Sequence, residues 1–267
     1  MTTLTAGGRT VGYRRAGAGP PLVVLNGFAA TKDDWDPVFL DALARNRELV
    51  LLDLRGMGES SDDGEAFTIG DLAADVAGAI AALDLGRVAV LGWSMGGFVA
   101  LSLAASEPAA VSKLVLLSTH GGGPDALLAD DATRERLRDT SGTPREQATR
   151  LISLLFPPER AAQIDARFGE VVAAARATLP HDVVARQWAA MEAWERREGA
   201  ADALAGISVP ALVATGIEDV VIPPGNSLAL ATAMGGAWLA RFPDCGHGFM
   251  ADHPEALARL IGIFLDT

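Results

Sequence analysis

A serine flanked by glycines, in "GWSMG" at 92–96, is the residue of this chain best placed for covalent chemistry. The G-x-S-x-G spacing carries meaning where a buried strand runs into a helix: the turn holds the serine in a strained backbone and leaves its hydroxyl pointing outward. Both flanks fit. "RVAVLGW" is the short β-branched run of a buried strand, and "GFVALSLAASEP" reads as a helix stopped at Pro108. A serine hydroxyl is a weak nucleophile at neutral pH and needs a general base, usually histidine. Of four histidines, His247 in "DCGHGF" follows the strand-like "AWLARF" and precedes the last helix, at the carboxyl edge of a sheet, and is the preferred base. His120 also ends a strand and could approach the site, whereas His181 falls in a helical stretch and His253 opens the last helix. The base in turn needs a carboxylate to hold its tautomer. Asp219, in "TGIEDVVIPP", lies just after a strand ending near Gly216; Glu218 is its immediate competitor and Asp125 a second. The chain order Ser94, Asp219, His247 is the one this motif leads one to expect.

Such a set meets only if several strands end along one edge. The apolar runs "LVVLNG", "ELVLLDLRG", "RVAVLGW", "SKLVLLST", "VPALVATG" and "AWLARF" read as strands, preceded by two short ones around residues 10–15. Helices fall between them. "ATKDDWDPVFLDALARN" places acidic residues in its first turn, where the helix dipole favours them. "TIGD" offers Thr68 as cap and Asp71 as the returning partner, and Leu72, Val76, Ile80 and Leu83 follow one face. A helix around 227–234 precedes "AWLARF", and Leu257, Leu260, Ile261, Phe264 and Leu265 line one face of the last. This alternation predicts an α/β fold with a doubly wound, mostly parallel sheet covered on both faces. It breaks from residue 121 to about 205, where Ala- and Arg-rich helical segments are interrupted at "SGTP", "FPPE" and "LPHD". The expected organisation is a core of residues 1–120 and 206–267 with a helical lid inserted at 121–205. The uncharged run 88–106 is long enough to suggest a membrane span, but Gly92, Gly96 and Gly97 suit a sharp turn instead.

Composition narrows the partners. Of 267 residues, 49% are hydrophobic and 21% charged, as in soluble globular proteins, and a net charge of −12 repels phosphate. Nucleic acid and anionic membrane are therefore disfavoured, and a small-molecule acyl substrate is expected. The one cysteine, Cys245, has no internal partner, nothing resembles a secretory signal, and the expected location is cytoplasmic. Cys245 reads as a buried, inert thiol despite its closeness to His247. No Cys/His cluster has metal-ligand spacing, and "GGGP" at 121–124 lacks the Lys-Ser/Thr of a phosphate loop, so it reads as a hinge. Neither a metal nor a cofactor is expected, and oligomeric state has no signature here.

Taken in order, "LNGFAATKDDW", "DLRGMGES", "GWSMGG", "TGIEDVVIPP" and "GHGF" resemble the α/β-hydrolase family with an inserted helical lid. The resemblance implies an oxyanion hole built from the backbone amides of Phe28 and Met95. Many members carry His-Gly where this chain has Asn26-Gly27; Asn26 is expected to hydrogen-bond the loop backbone and so orient Phe28, or else to be a solvent-facing turn residue. Asn at this position together with "EDVVIPP" is similar to enol-lactonases and related small esterases. Haloalkane dehalogenases in the family use aspartate where Ser94 stands, which argues against dehalogenation.

The reading is thus a serine hydrolase that cleaves a small carboxylic ester or lactone through an acyl-enzyme. Candidate pocket residues are Asn26, Trp93, His120, Val220 and Phe249, near the motif positions, with Trp188 and Met191 from the insertion. Trp188, Met191 and Trp194, at helical spacing, could equally pack the insertion onto the core. The alternatives are C–C bond hydrolysis or perhydrolysis by the same triad, or a non-catalytic small-molecule binder, which a fluorophosphonate probe would separate from an enzyme.

Overall fold

In the computed structural model, which describes residues 2–267, the apolar runs pair into one eight-stranded sheet. Its strands are β1 (Thr3–Ala6), β2 (Arg9–Ala16), β3 (Pro21–Leu25), β4 (Glu48–Leu52), β5 (Val88–Trp93), β6 (Val111–Leu117), β7 (Ala211–Gly216) and β8 (Trp238–Phe242). Their spatial order is β1-β2-β4-β3-β5-β6-β7-β8, antiparallel at the first two pairings and parallel across the rest. Helices α1 (Pro37–Ala44), α2 (Ile69–Ala82) and α3 (Met95–Ser106) alternate with the strands. Between β6 and β7 lie α4 (Asp131–Arg138), α5 (Pro144–Leu155), α6 (Pro158–Arg176), α7 (His181–Glu195) and α8 (Ala200–Ala205); α9 (Gly225–Ala233), α10 (Phe249–Asp252) and α11 (Pro254–Leu265) complete the chain.

Both faces of the sheet are covered, which is why its strands read as continuous apolar runs. Along β3, Val23 and Leu25 join the core built with α2 and α3, while Leu22 and Val24 join the one built with α1 and α11. No helix among the described residues is long and apolar enough to cross a membrane. The uncharged run 88–106 divides at Ser94 into β5 and the twelve-residue α3.

Local expectations need two corrections. The first strands form a hairpin turned at Gly7-Gly8, both at positive φ, so they run over 3–16 rather than around 10–15. Helix α1 begins at Pro37 and has no acidic residue in its first turn. The preceding acids serve as acceptors instead: Asp34 takes the Thr31 amide, and Asp36 caps the helix by taking the Phe39 amide. The last helix, α11, opens at His253 as read from the sequence, and the short α10 precedes it. The Thr68/Asp71 capping box of α2 is present as read from the sequence.

The order of strands determines where a site can form. From β3 the chain crosses to β4 on one side, then returns past β3 to β5 and proceeds the other way. At such a switch point the loops leaving two adjacent strands diverge and open a crevice at their carboxyl ends. Here the loop leaving β3 starts at Asn26, and the turn leaving β5 holds Ser94.

Candidate active site

Ser94 sits at φ +55°, ψ −123°, between the end of β5 and the first residue of α3. Only glycine fits around it. A Cβ at Gly92 would meet the Gly96 carbonyl oxygen at 2.3 Å, and one at Gly96 would meet the Leu25 carbonyl oxygen at 2.3 Å. The strained residue is pinned by its own backbone: its amide donates to Leu117 O at 2.9 Å, and its carbonyl accepts from Thr119 Oγ1 at 2.9 Å. A Cβ at Gly27 would lie 3.2 Å from Ser94 Cβ, so the β3 loop passes directly beside the serine.

The loops after β7 and β8 bring an acid and a base to the same edge. Asp219 Oδ2 and His247 Nδ1 are 2.8 Å apart, both residues being buried. Asp219 Oδ1 accepts the Val221 and Ile222 amides at 2.9 and 2.8 Å, which fixes the carboxylate's rotation. The two loops are themselves tied together, Glu218 N donating to Cys245 O at 3.0 Å. On the far side of the ring, Trp93 lies 5.1 Å from the His247 ring centre and donates its indole N–H to His247 O at 3.0 Å. The His247 Nε2 has no hydrogen-bond partner among the described residues, nor does Ser94 Oγ; catalytic hydrogen bonds commonly tighten only with substrate bound. Glu218 and Asp125 are both exposed, so neither competes for the imidazole.

Two amides near the serine are without a hydrogen-bond partner among the described residues. That of Met95 opens α3, where a helix leaves its first N–H groups free. In the β3 loop, the Gly27 amide is taken by Asn26 Oδ1 at 2.8 Å and the Ala29 amide by Gln187 Oε1 at 2.9 Å. The Phe28 amide between them has no partner among the described residues. A pair of unpaired N–H groups beside a serine hydroxyl can receive a developing oxyanion.

A cavity of about 20 Å³ adjoins Ser94, room for about one or two water molecules. Phe98, His120, Leu137, Trp188 and Met191 line it, together with Val221 and Ile222. Its polar wall is Arg134 from α4, bound through both Nη atoms to Glu195 at 2.9 Å and seated over the Trp188 ring. His120 is buried and accepts the Gly122 amide at Nδ1, 3.0 Å, which assigns the proton to Nε2. Burial, with Arg134 and Arg197 nearby, pushes its pKa down to about 3, so the ring is neutral and does not compete as base. Cys245 is inert as read: burial, with acidic neighbours, pushes its thiol up to about 12.

Four pocket expectations need correction. Asn26 is only 2% exposed and lies behind the loop, its Nδ2 donating to Thr31 O at 2.6 Å, so it touches loop backbone rather than the cavity and is no solvent-facing turn residue. Trp93 backs the imidazole instead of lining the cavity, because side chains alternate along β5 and its own falls on the opposite face of the sheet with Trp35. Phe249 belongs to that same opposite core, against Phe242. Val220 is 51% exposed; the amides that Asp219 accepts draw Val221 and Ile222 inward in its place. His120, Trp188 and Met191 do line the cavity, whereas Trp194 stacks on Phe98, ring centres 5.7 Å apart, and packs α7 onto α3.

Sequence reading passed over Phe98, the Arg134–Glu195 pair and Gln187. The first lies in a helix apolar all round, and the pair joins residues far apart in the chain with no shared motif. Gln187 left a trace: it is a polar side chain in the middle of the buried stripe Val183, Val184, Gln187, Ala190, Met191, Trp194, whose only other polar member, Glu195, stands at the helix end.

A family model described as alpha/beta hydrolase fold matches residues 20–254. The non-heme chloroperoxidase of Streptomyces lividans is 29% identical, covering 96% of this chain and 96% of its own. The 2-hydroxymuconate semialdehyde hydrolase of Pseudomonas sp. strain CF600 is 28% identical, covering 98% and 92%. Among solved structures, the enol-lactonase from Burkholderia xenovorans LB400 superposes with a TM-score of 0.85 over the full length of both chains at 22% identity, a likeness of fold.

Proposed function

The chain belongs to the α/β-hydrolase fold family, and on that premise we propose that it is a serine hydrolase cleaving a small carboxylic ester or lactone. The reading is carried by the buried Asp219–His247 pair, held at the same sheet edge as a strained Ser94 that borders the cavity. Ser94 Oγ attacks the carbonyl carbon while His247 Nε2 takes its proton. The carbonyl oxygen becomes an oxyanion held by the Phe28 and Met95 amides, and collapse expels the alkoxide, which His247 protonates. Water, deprotonated by the same imidazole, then attacks the acyl-serine and restores the hydroxyl. Asp219, acceptor-only when ionised, keeps the proton on Nδ1 and stabilises the imidazolium through each half-reaction.

The small cavity favours a short acyl group. Each further methylene that does not fit is worth about 1–3 kcal/mol of discrimination. Labelling by a fluorophosphonate, with the adduct located on Ser94 by mass spectrometry, tests the nucleophile and separates enzyme from binder. A series of p-nitrophenyl esters beside a lactone panel then tests the substrate class, with kcat/KM expected to peak at acetyl and to fall with each added methylene. A relative named for hydrolysing 2-hydroxymuconate semialdehyde makes C–C hydrolysis the second reading, so a vinylogous diketone belongs in the panel. Turnover of that compound alone would replace the ester reading.

A further inference from the structure

The inserted helices contribute more than a wall. On this reading the loop after β3 must present the Phe28 amide to the crevice, yet a short loop with a glycine in it does not by itself determine which way each peptide faces. The two peptides on either side of the Gly27–Phe28 unit are each clamped by a side-chain carbonyl. Asn26 Oδ1 takes the Gly27 N–H from within the loop, and Gln187 Oε1 takes the Ala29 N–H from α7, 158 positions along the chain. With both neighbours fixed, the middle peptide is the one left facing the crevice. Ala29 itself sits at φ +53°, a conformation that a non-glycine residue holds only when its surroundings impose it.

Three further observations single out Gln187. Its side chain is fully buried, and its Nε2 has no partner, so the amide destabilises the core by half of itself. The assignment of O and N is not arbitrary, because an N–H donor from Ala29 requires the carbonyl side. The next residue, Trp188, meets the Phe28 ring edge-on at 5.6 Å, a second hold on the same loop. And α7 is a fixed support: Arg186 binds Asp62 at 2.5 Å and the Glu65 carbonyl at 3.1 Å, and a Cβ at Gly56 would strike Val183.

We infer that Gln187 is a positioning residue that aims the Phe28 amide at the oxyanion, making α7 part of the catalytic apparatus. This rests on the serine-hydrolase reading above. The test compares Gln187→Met, which keeps length and removes the acceptor, with Gln187→Glu, which retains an oxygen toward Ala29. The expectation for Gln187→Met is a kcat lower by about 10- to 50-fold, short of the roughly 10² to 10³ lost when an oxyanion donor is deleted, with KM unchanged. Phosphonylation of Ser94 by a fluorophosphonate, which places its P=O oxygen where the oxyanion would sit, should slow by the same factor. The melting temperature should change little, since the orphaned Nε2 donor is removed while the Ala29 amide loses its acceptor, and Gln187→Glu should recover most of the rate. Wild-type kcat and labelling rate in Gln187→Met would overturn the proposal and leave the serine-hydrolase reading intact. Equal losses in both variants accompanied by a lowered melting temperature would reduce Gln187 to a packing residue and overturn it too. Failure of the wild type to label at Ser94 would remove the reading and the proposal together.

Discussion

Replacing Asp219 by Asn tests the acid–base assignment sharply, because the structure dictates how the new amide must turn. Oδ1 of Asp219 accepts two backbone amides, Val221 and Ile222, while Oδ2 meets His247 Nδ1. Asn has one oxygen to offer. If that oxygen faced His247, two buried N–H groups would confront an NH₂, at about 1–3 kcal/mol each. The oxygen therefore stays with the backbone and Nδ2 faces the ring, donating to Nδ1. This forces the imidazole proton onto Nε2, the wrong tautomer for accepting a proton from Ser94. The expected loss in kcat is about 10⁴, or about 5.4 kcal/mol at 1.36 per factor of ten, with KM little changed and the fold intact. Glu218→Gln is the internal control: the residue is exposed and should stay within about 0.5 kcal/mol, a factor of about two. Steady-state kinetics measures the loss, and ¹⁵N shifts of the imidazole report the tautomer directly. The reasoning is refuted if Asp219→Asn keeps Nδ1–H and near wild-type turnover, or if Glu218→Gln shows the larger loss.

Ser94→Ala should lower kcat by roughly 10⁶ without unfolding the chain; a variant turning over at a tenth of the wild-type rate would remove Ser94 as nucleophile. Asn26→Ala should lower kcat by less than the roughly 10² to 10³ of a deleted oxyanion donor, at constant KM, and should also lower the melting temperature, because Gly27 N and Thr31 O lose buried partners. A raised KM at constant kcat would make Asn26 a substrate contact instead. His120→Gln should flatten the acid side of the stability profile. The folded pKa of His120, about 3, lies below its unfolded value, so the unfolded chain binds the extra proton; that contribution to stability is complete above about pH 6.5 and is lost, at up to about 1.4 kcal/mol per pH unit, as pH falls toward 3. Urea unfolding at pH 7 and pH 4.5 measures it, and an unchanged difference between the two would refute a neutral, buried His120.

The sheet was legible because its strands are buried on both faces and so carry unbroken apolar runs, as "LVVL" and "LVLL" do. The hairpin at residues 3–16 was less so, since "TLTA" is short and polar at an edge and only its Gly7-Gly8 turn marks it. Helix α1 misled because Asp33, Asp34 and Asp36 look like a charged first turn. They are a turn and a cap, and composition cannot tell an acid that interacts with a dipole from one that takes a single amide.

For the site, legibility followed the origin of each constraint. Ser94, Asp219 and His247 stand at strand ends, and a strand end can be located from a local pattern. The pocket could be located only in part this way: His120, Trp188 and Met191 line the cavity, whereas Asn26, Trp93, Val220 and Phe249 do not. Which of Val220 and Val221 points inward depends on two amides turning toward a buried carboxylate, and the side to which Phe249 belongs depends on the path of a loop around Cys245. Neither is encoded within a few residues of its position. Gln187 lies between these cases. A polar side chain inside an apolar helical stripe is visible in the sequence, and burying it without full pairing is unfavourable enough to require a compensating contact. The sequence cannot say that the contact is a peptide in the β3 loop, because the two meet only after α7 has been packed against the core. Residues proposed to perform the chemistry are thus read from local motifs, while the one proposed to aim them is visible, before folding, only as a local anomaly.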